Sequence, residues 1–403
     1  MDKVQTVSAA SSVERESSRR LLIGLYVVVS LLYWISLYLY LPTLPTYAQE
    51  KSDSLAVVGV ILAQYGLWQA IIRLPVGIAA DWLGRRKPFI LGGLILSALG
   101  AWWMGTAGDA GGLIVGRAIT GLACGAWVPL TVIFGSLFRP EEAVRATSIL
   151  IFVGSIGRVA ATSLTGSLNE MGGYPLAFFL AAGVAAVAAL ILLPIREQPR
   201  PVKPPSARSI GQIITRRDVL IPSLLSAVAQ HATWAIPLGF VPILARGMGA
   251  SGMVQSGLMS LHIGMVIAGN LGTAAIVPRI GARRLAAASF VILVGAMIGA
   301  ALAQSLATLF VAQAFLGLSQ GIGYPVTMGM SIEQVQDTER TTAMGLHQAV
   351  YAIGMFSGPW LAGLLADRID IRPMFLITAA GVAILSAILM RLLPVVPVRA
   401  RAA

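Results

Sequence analysis

A chain of 403 residues with 57% apolar and only 11% charged residues has too few ionisable groups to cover a water-facing surface, which excludes a soluble multidomain protein and places it in a bilayer. The net charge of +12 would suit a nucleic-acid binder, but the 29 Lys and Arg fall between apolar runs rather than in one patch, so that class is excluded too. The single cysteine, Cys124, sits inside an apolar run, leaving no disulfide framework and no Cys-based metal or redox centre.

A membrane-spanning helix needs about 20 mostly apolar residues. The charge-poor runs then give twelve helices, over 21–47, 54–80, 88–108, 111–138, 146–168, 173–195, 219–245, 252–277, 285–303, 306–332, 341–366 and 373–393. Residues 1–20, rich in Ser and charge, are expected to be a disordered cytoplasmic tail. The run from Leu21 to Gln49 is too long for the apolar part of a signal peptide and is kept as helix 1. With both termini cytoplasmic, 22 of the 29 Lys and Arg lie on the cytoplasmic side and four (Lys51, Arg246, Arg368 and Arg372) outside. The remaining three, Arg73, Arg117 and Arg158, lie within helices. One miscounted helix would invert every later loop, so this asymmetry supports twelve crossings.

Between helices 2 and 3 stands Gly77-Ile-Ala-Ala-Asp81-Trp82-Leu-Gly84-Arg85-Arg86-Lys87. It resembles the G-x-x-x-D-R-x-G-R-R signature of the major facilitator superfamily, with Trp82 in place of the signature's first Arg. The resemblance implies that Asp81, at a helix end, latches the cytoplasmic side against the start of helix 11 while the transporter faces outward, and that Gly77, Gly84, Arg85 and Arg86 share in that gating. The residues by themselves also read as topology-setting charges around a tight turn. Leu113, Arg117 and Gly121 of helix 4 resemble the superfamily's l-x-x-x-R-x-x-q-G pattern, with Thr120 at the glutamine position, which makes Arg117 the functional residue there. On helix 5, Arg158 has no acid partner within the membrane, because all 17 Asp and Glu fall at helix ends or in loops. Arg158 and Arg117 either line an electropositive cavity for an anionic group or bond to backbone carbonyls and Ser or Gln side chains freed by nearby glycines. Arg73, about 12 Å from Asp81 along its helix, is read as snorkelling to the cytoplasmic face.

The stretch 196–218, with Pro199, Pro201, Pro204 and Pro205, divides the chain into an N-terminal six-helix bundle (21–195) and a C-terminal one (219–393), with a second cytoplasmic tail at 394–403. A shift of 196 to 198 residues places Gly121, Gly125 and Pro129 on Gly317, Gly321 and Pro325, and 181–185 on 379–383. The halves are therefore repeats, two bundles related by an axis along the membrane normal with a site between them. Pro278 to Arg284 is a degenerate copy of the signature loop. The superfamily's antiporter pattern is absent from helix 5. It is found instead on helix 11, as Gly345, Gly354, Gly358-Pro359 and Ala362-Gly363.

All three histidines, His231, His262 and His347, lie in helices 7, 8 and 11. Each is either a neutral interhelical hydrogen-bonding group or a proton carrier, histidine being the one intramembrane side chain left that titrates near neutral pH. Met259, His262 and Met265 share one wedge of helix 8, which raises copper as an alternative cargo; no second Met or Cys cluster completes such a site, so no resident metal is expected. Tyr33, Trp34, Gln230, Trp234, Gln320, Tyr324 and Tyr351 sit at mid-helix and either line an amphipathic cavity or pack between helices. The reading is an all-α, twelve-helix membrane transporter of the superfamily's fold, not an enzyme. It is expected to work as a monomer without cofactors in a prokaryotic cytoplasmic membrane. Its partners are the lipid bilayer, a small organic substrate, anionic or neutral and amphipathic, and protons. Its motifs resemble those of bacterial drug and metabolite exporters that work by alternating access as antiporters. The alternatives are a cationic multidrug pump, a metabolite importer and a lipid translocator.

Overall fold

The computed structural model describes residues 2–139, 142–197, 211, 213, 215–336 and 340–394. Helix α1 runs Asp2–Tyr38. Residues 2–20, expected to be disordered, continue the helix, since a helix nucleated by the crossing extends at one hydrogen bond per residue. The predicted first helix also breaks earlier than its apolar run. Pro42 disfavours helix at the residue before it, and a short segment Leu44–Glu50 restarts with Pro45 in its first turn. Helix α2 is Leu55–Leu83, capped by Ser54 and ended by Gly84 at φ 64°, a conformation that glycine adopts without strain. Helix α3 is Lys87–Thr106. Helix α4 is Ala110–Ala123, continued through a tight turn Cys124–Ala126 into Trp127–Gly135, where Pro129 cannot bond the carbonyl four residues back.

The next helical run, Ala143–Leu192, has 50 residues. That is about 75 Å at 1.5 Å per residue, too long for one crossing of a core about 30 Å thick. Gly172 (φ −150°) and Gly173 (φ +68°) break it into α5 and α6. Helix α7 is Arg217–Ala235, continued past a widened turn Ile236–Phe240 into Val241–Gly247. Then follow α8 Gly252–Ile280, α9 Ala282–Leu302, α10 Leu306–Ile332, α11 Arg340–Ile369 and α12 Ile371–Leu392. Among the described residues this makes twelve crossings. Most of the stretch between the halves (198–210, 212 and 214) and of the final tail (395–403) lies outside the described residues.

Packing repeats along with the sequence. Within the halves, α1 packs on α5 as α7 does on α11, α2 on α4 as α8 on α10, and α3 on α6 as α9 on α12; between them, α2 meets α11 and α5 meets α8. The glycines explain how closely these backbones meet. A Cβ on Gly157 would lie 2.9 Å from the carbonyl of Leu31, and one on Gly354, 197 residues on, would overlap the carbonyl of Ala227. A Cβ on Gly358 would overlap the His231 carbonyl. Gly121 faces the Tyr65 carbonyl as Gly317 faces that of His262. Small residues allow such contact where the bilayer supplies no hydrophobic force between helices.

Candidate functional site

On the face opposite the termini the two halves are joined. Gly59 of α2 meets Pro359 and Gly363 of α11, and Gly166 of α5 meets Gly252 and Met253 of α8. Ser54 donates to Asp367 at 3.0 Å, Thr46 to Gln255 at 3.1 Å, and Arg246 pairs with Glu50 at 2.6 Å. Deeper in, the hydroxyls of Thr162 and Ser163 reach Ser260 at 2.9 and 3.0 Å. On the terminus face the ion pairs seen among the described residues stay within one half, such as Arg19 with Glu142 and Arg86 with Asp81, both at 3.0 Å, and Arg216 with Asp218 at 2.6 Å.

The signature loop is thus folded back on itself. Asp81 binds Arg86 of the same loop, Arg85 and Trp82 are exposed, and Gly77 has open space around it but for Val128. The Glu197 carboxylate accepts the backbone N–H groups of Arg86 and Lys87, capping the start of α3 at 2.7–2.9 Å. Gly354, Gly358 and Pro359 lie where α11 is pressed between α7 and α2.

Between the halves, the first wall comes from α1, α4 and α5. Tyr33 stacks on Trp127 at 6.3 Å, and Trp34 meets Tyr33, Tyr38 and Trp127 edge-on at 5.0–5.8 Å. The Arg158 guanidinium lies over Trp34 and Tyr38, 4.9 and 5.8 Å from the ring centroids, as a cation over π-faces. Its Nε donates to the Gly154 carbonyl and one terminal nitrogen to Ser155, while the other has no protein partner among the described residues. Of the two alternatives foreseen for Arg158, the structure shows the local anchoring to a backbone carbonyl and a Ser side chain.

Arg73 does not snorkel. It is 8% exposed and turns across the interface, donating to Gln348 Oε1 at 3.1 Å and to the Tyr351 hydroxyl of α11, with its guanidinium 5.3 Å from the Tyr351 ring centroid. The face of α2 that carries Arg73 packs on α11, so the interior partner is nearer than the aqueous surface. Arg117, by contrast, is not at the cavity wall. It is 1% exposed inside the first half, 4.3 Å from the Tyr65 ring centroid, and none of its three guanidinium nitrogens meets hydrogen-bond geometry among the described residues.

The second wall is hydroxyl- and imidazole-rich. His347 contacts Ser223 and Ser226 through its two nitrogens, His262 contacts Gln320 at 2.9 Å, and His231 contacts Ser357 at 3.0 Å. Trp234 stacks on Tyr65 across the interface at 5.2 Å. Gln230, Gln320 and Tyr324, with Ser226, Thr233, Ser289 and Ser319, line a cavity of about 10 Å³, room for roughly one water. Met259 is buried in the apolar core and Met265 packs beside Gly317. No group of three His, Cys, Asp or Glu side chains able to hold a metal occurs among the described residues.

Sequence reading missed Arg73 as an interior residue, along with Tyr38, Tyr65, Trp127, Gln348, Ser223, Ser226 and Thr327. Two of them carry a sequence signal: Tyr38 falls at the repeat position of Trp234, and Tyr65 falls at that of His262. Its hydroxyl accepts from Cys124 Sγ at 2.8 Å, and Cys124 falls at the repeat position of Gln320, the partner of His262.

Twelve crossings in two repeated bundles, glycine-packed and meeting at a polar midplane, define a membrane transporter fold. The family profile of the Major Facilitator Superfamily matches residues 26–306 and 224–403, and the chain belongs to that superfamily. It is 25% identical over 391 residues to the multidrug resistance protein MdtH of Aeromonas hydrophila, covering 90% of this chain and 96% of that one. It is 32% identical over 133 residues to the inner membrane transport protein YajR of Escherichia coli, a match that spans only 29% of that protein's length. Among solved structures, a bacterial homologue of the human lysosomal transporter Spinster, inward-facing and occupied, superposes with a TM-score of 0.77 at 16% identity, over 93% of this chain and 96% of that one. The nucleoside transporter NupG gives 0.75 at 17% identity, over 93% and 100%.

Proposed function

We propose that the chain is a secondary active transporter that moves a small organic anion, or a neutral amphipathic molecule, out of the cytoplasm by alternating access. The observation that carries this reading is the presence of two interior cations, Arg158 over the aromatic wall of the first half and Arg73 against Tyr351 of the second, with all Asp and Glu at helix ends or in loops. Two fixed cations raise the cavity potential, repelling a cationic solute and attracting an anion. Trp34, Tyr38 and Trp127 offer the apolar faces for the rest of an amphipathic molecule. The join on the face opposite the termini, together with the Lys and Arg bias, supports cytoplasmic termini and a cavity approached from the cytoplasm. The multidrug names of relatives such as MdtH favour export.

Within this reading Arg117 acts on conformation rather than on substrate, and the Asp81–Arg86 pair is the latch at rest. In the outward-facing state Asp81 exchanges that partner for the N-terminus of α11. A binding screen of purified protein against organic anions and lipophilic cations tests the reading. Anions should bind and lose affinity in Arg158→Gln. Tight binding of cations, undiminished in Arg158→Gln, would overturn it and favour a cationic multidrug pump.

A further inference from the structure

The hydrogens around one of the three histidines can be counted. Nδ1 of His347 is 3.1 Å from Ser223 Oγ, and Nε2 is 3.1 Å from Ser226 Oγ. Ser223 donates to the Val219 carbonyl at 2.7 Å. Ser226 Oγ is 2.6 Å from Thr327 Oγ1, which donates to the Gly323 carbonyl at 2.9 Å. Thr327 Oγ1 also lies 3.2 Å from the Tyr324 carbonyl, which shares the hydrogen given to Gly323, so the other five contacts need five hydrogens. The three hydroxyls supply three, a neutral imidazole one and an imidazolium two. All five hold together only when both ring nitrogens carry a proton. With a neutral ring, either Thr327 turns from Gly323 to Ser226 or Ser223 turns from Val219 to Nδ1. Among the described residues the other histidines impose no such demand: His262 has Gln320 on Nε2 and no partner on Nδ1, which suits a neutral ring, and His231 makes one contact.

We propose that His347 is a proton-binding site of this transporter, that its proton is matched by reorientation of the Ser226–Thr327 hydroxyl chain, and that its charge opposes the Arg73 bridge between the halves. The proposal rests on the transporter reading above. His347 adjoins Gln348 and lies one turn before Tyr351, the two residues of α11 that hold Arg73. The ionisable groups facing it are Tyr324 of α10, at 6.4 Å between ring centroids, Tyr351 of its own helix at 6.1 Å, and beyond Tyr351 the Arg73 guanidinium of α2. Helix α7 presents the hydroxyls of Ser223 and Ser226. A second positive charge behind Tyr351 repels Arg73 and loosens α2 from α11. By linkage, closing the bridge favours release of the proton.

The test uses full-length protein in lipid nanodiscs, with ¹⁵N-histidine NMR and spin labels placed on α2 and α11. The His347 signal, assigned by its disappearance in His347→Gln, should pass from singly to doubly protonated on acidification from about pH 8 to pH 4. The α2–α11 distance should change over the same range, and this response should vanish in His347→Gln and in Arg73→Gln. Ser226→Ala and Thr327→Val, which remove hydrogens from the chain, should displace the titration. A His347 signal that stays neutral throughout, or one that titrates identically in Ser226→Ala and Thr327→Val, would overturn the proposal. Organic-anion binding measured on the same samples separates the two readings. Binding with a silent His347 defeats this proposal alone, and a titrating His347 without anion binding defeats the substrate assignment alone.

Discussion

The two halves share their backbone contacts and differ in what they present to each other. The Cys124–Tyr65 hydrogen bond of the first half occupies the repeat positions of the Gln320–His262 bond of the second. Arg117 corresponds to Gln313, and Trp34 to Gln230. The first half offers aromatic faces and fixed cations, while the second offers hydroxyls, amides and all three histidines. Close helix contact leaves room only for hydrogen at particular glycines, so those positions cannot vary without separating helices. A side chain pointing into the cavity meets no backbone and is free to diverge. The superfamily architecture thus confines chemical specialisation to the facing walls.

The shared part of this comparison breaks hardest at the glycines. Gly354→Val and Gly358→Val should each cost about 1–3 kcal/mol or more, read as a fall of several degrees in the thermal midpoint of detergent-solubilised protein. Gly157→Val in the first half should behave similarly, because its Cβ would face the equivalent carbonyl. Gly183→Ala, with nothing within 4 Å, should leave the midpoint unchanged. A Gly157→Val variant as harmless as Gly183→Ala would show that the repeat does not extend to packing.

The differing part is next. Removing the charge-assisted hydrogen bonds of Arg158, worth about 1.5–3 kcal/mol, should weaken organic-anion binding by roughly 10–100-fold in Arg158→Gln, as measured by calorimetry. Gln230→Ala in the opposite wall should change it by less, roughly 2–10-fold, because its amide is not charged. Equal losses would erase the division of labour between the walls.

Asp81→Asn tests whether the loop copies differ in work as well as in sequence, the second copy having Pro278 at the aspartate position. Turnover in proteoliposomes should slow several-fold while substrate affinity holds, since the change biases the switch rather than the site. Loss of affinity in folded protein would place Asp81 on the substrate path instead.

The smallest effect is expected at Glu142, in the loop after α4. The backbone N–H of Arg139 first, and then Arg19, hold its carboxyl below the usual carboxylate range. A carboxylate with a depressed folded pKa stabilises above its unfolded value, about 4.3, and that stabilisation is lost as pH falls through the folded value. The thermal midpoint of Glu142→Gln should therefore approach that of the wild type on acidification below about pH 4. A constant gap across that range would show that the contact is not titrating.

The amino-acid sequence determined the number of crossings, the six-plus-six repeat and the glycine and motif positions, because hydropathy, spacing and internal offset are local or self-referential properties of the chain. It also placed the acids at helix ends. Helix 1 was legible only in part: its apolar run continues through Pro42, and proline acts on the backbone without lowering hydropathy. Tertiary structure alone decided the fates of the arginines. Arg73 lies on the face of α2 that meets α11 and bonds residues 275 and 278 positions away, whereas the equally apolar surroundings of Arg117 close over it against Tyr65. Periodicity gives the angle between residues on one helix but not the rotation of that helix against another. Only the packing of the two halves therefore showed which cation reaches across to the other half and which histidine has a partner for each nitrogen.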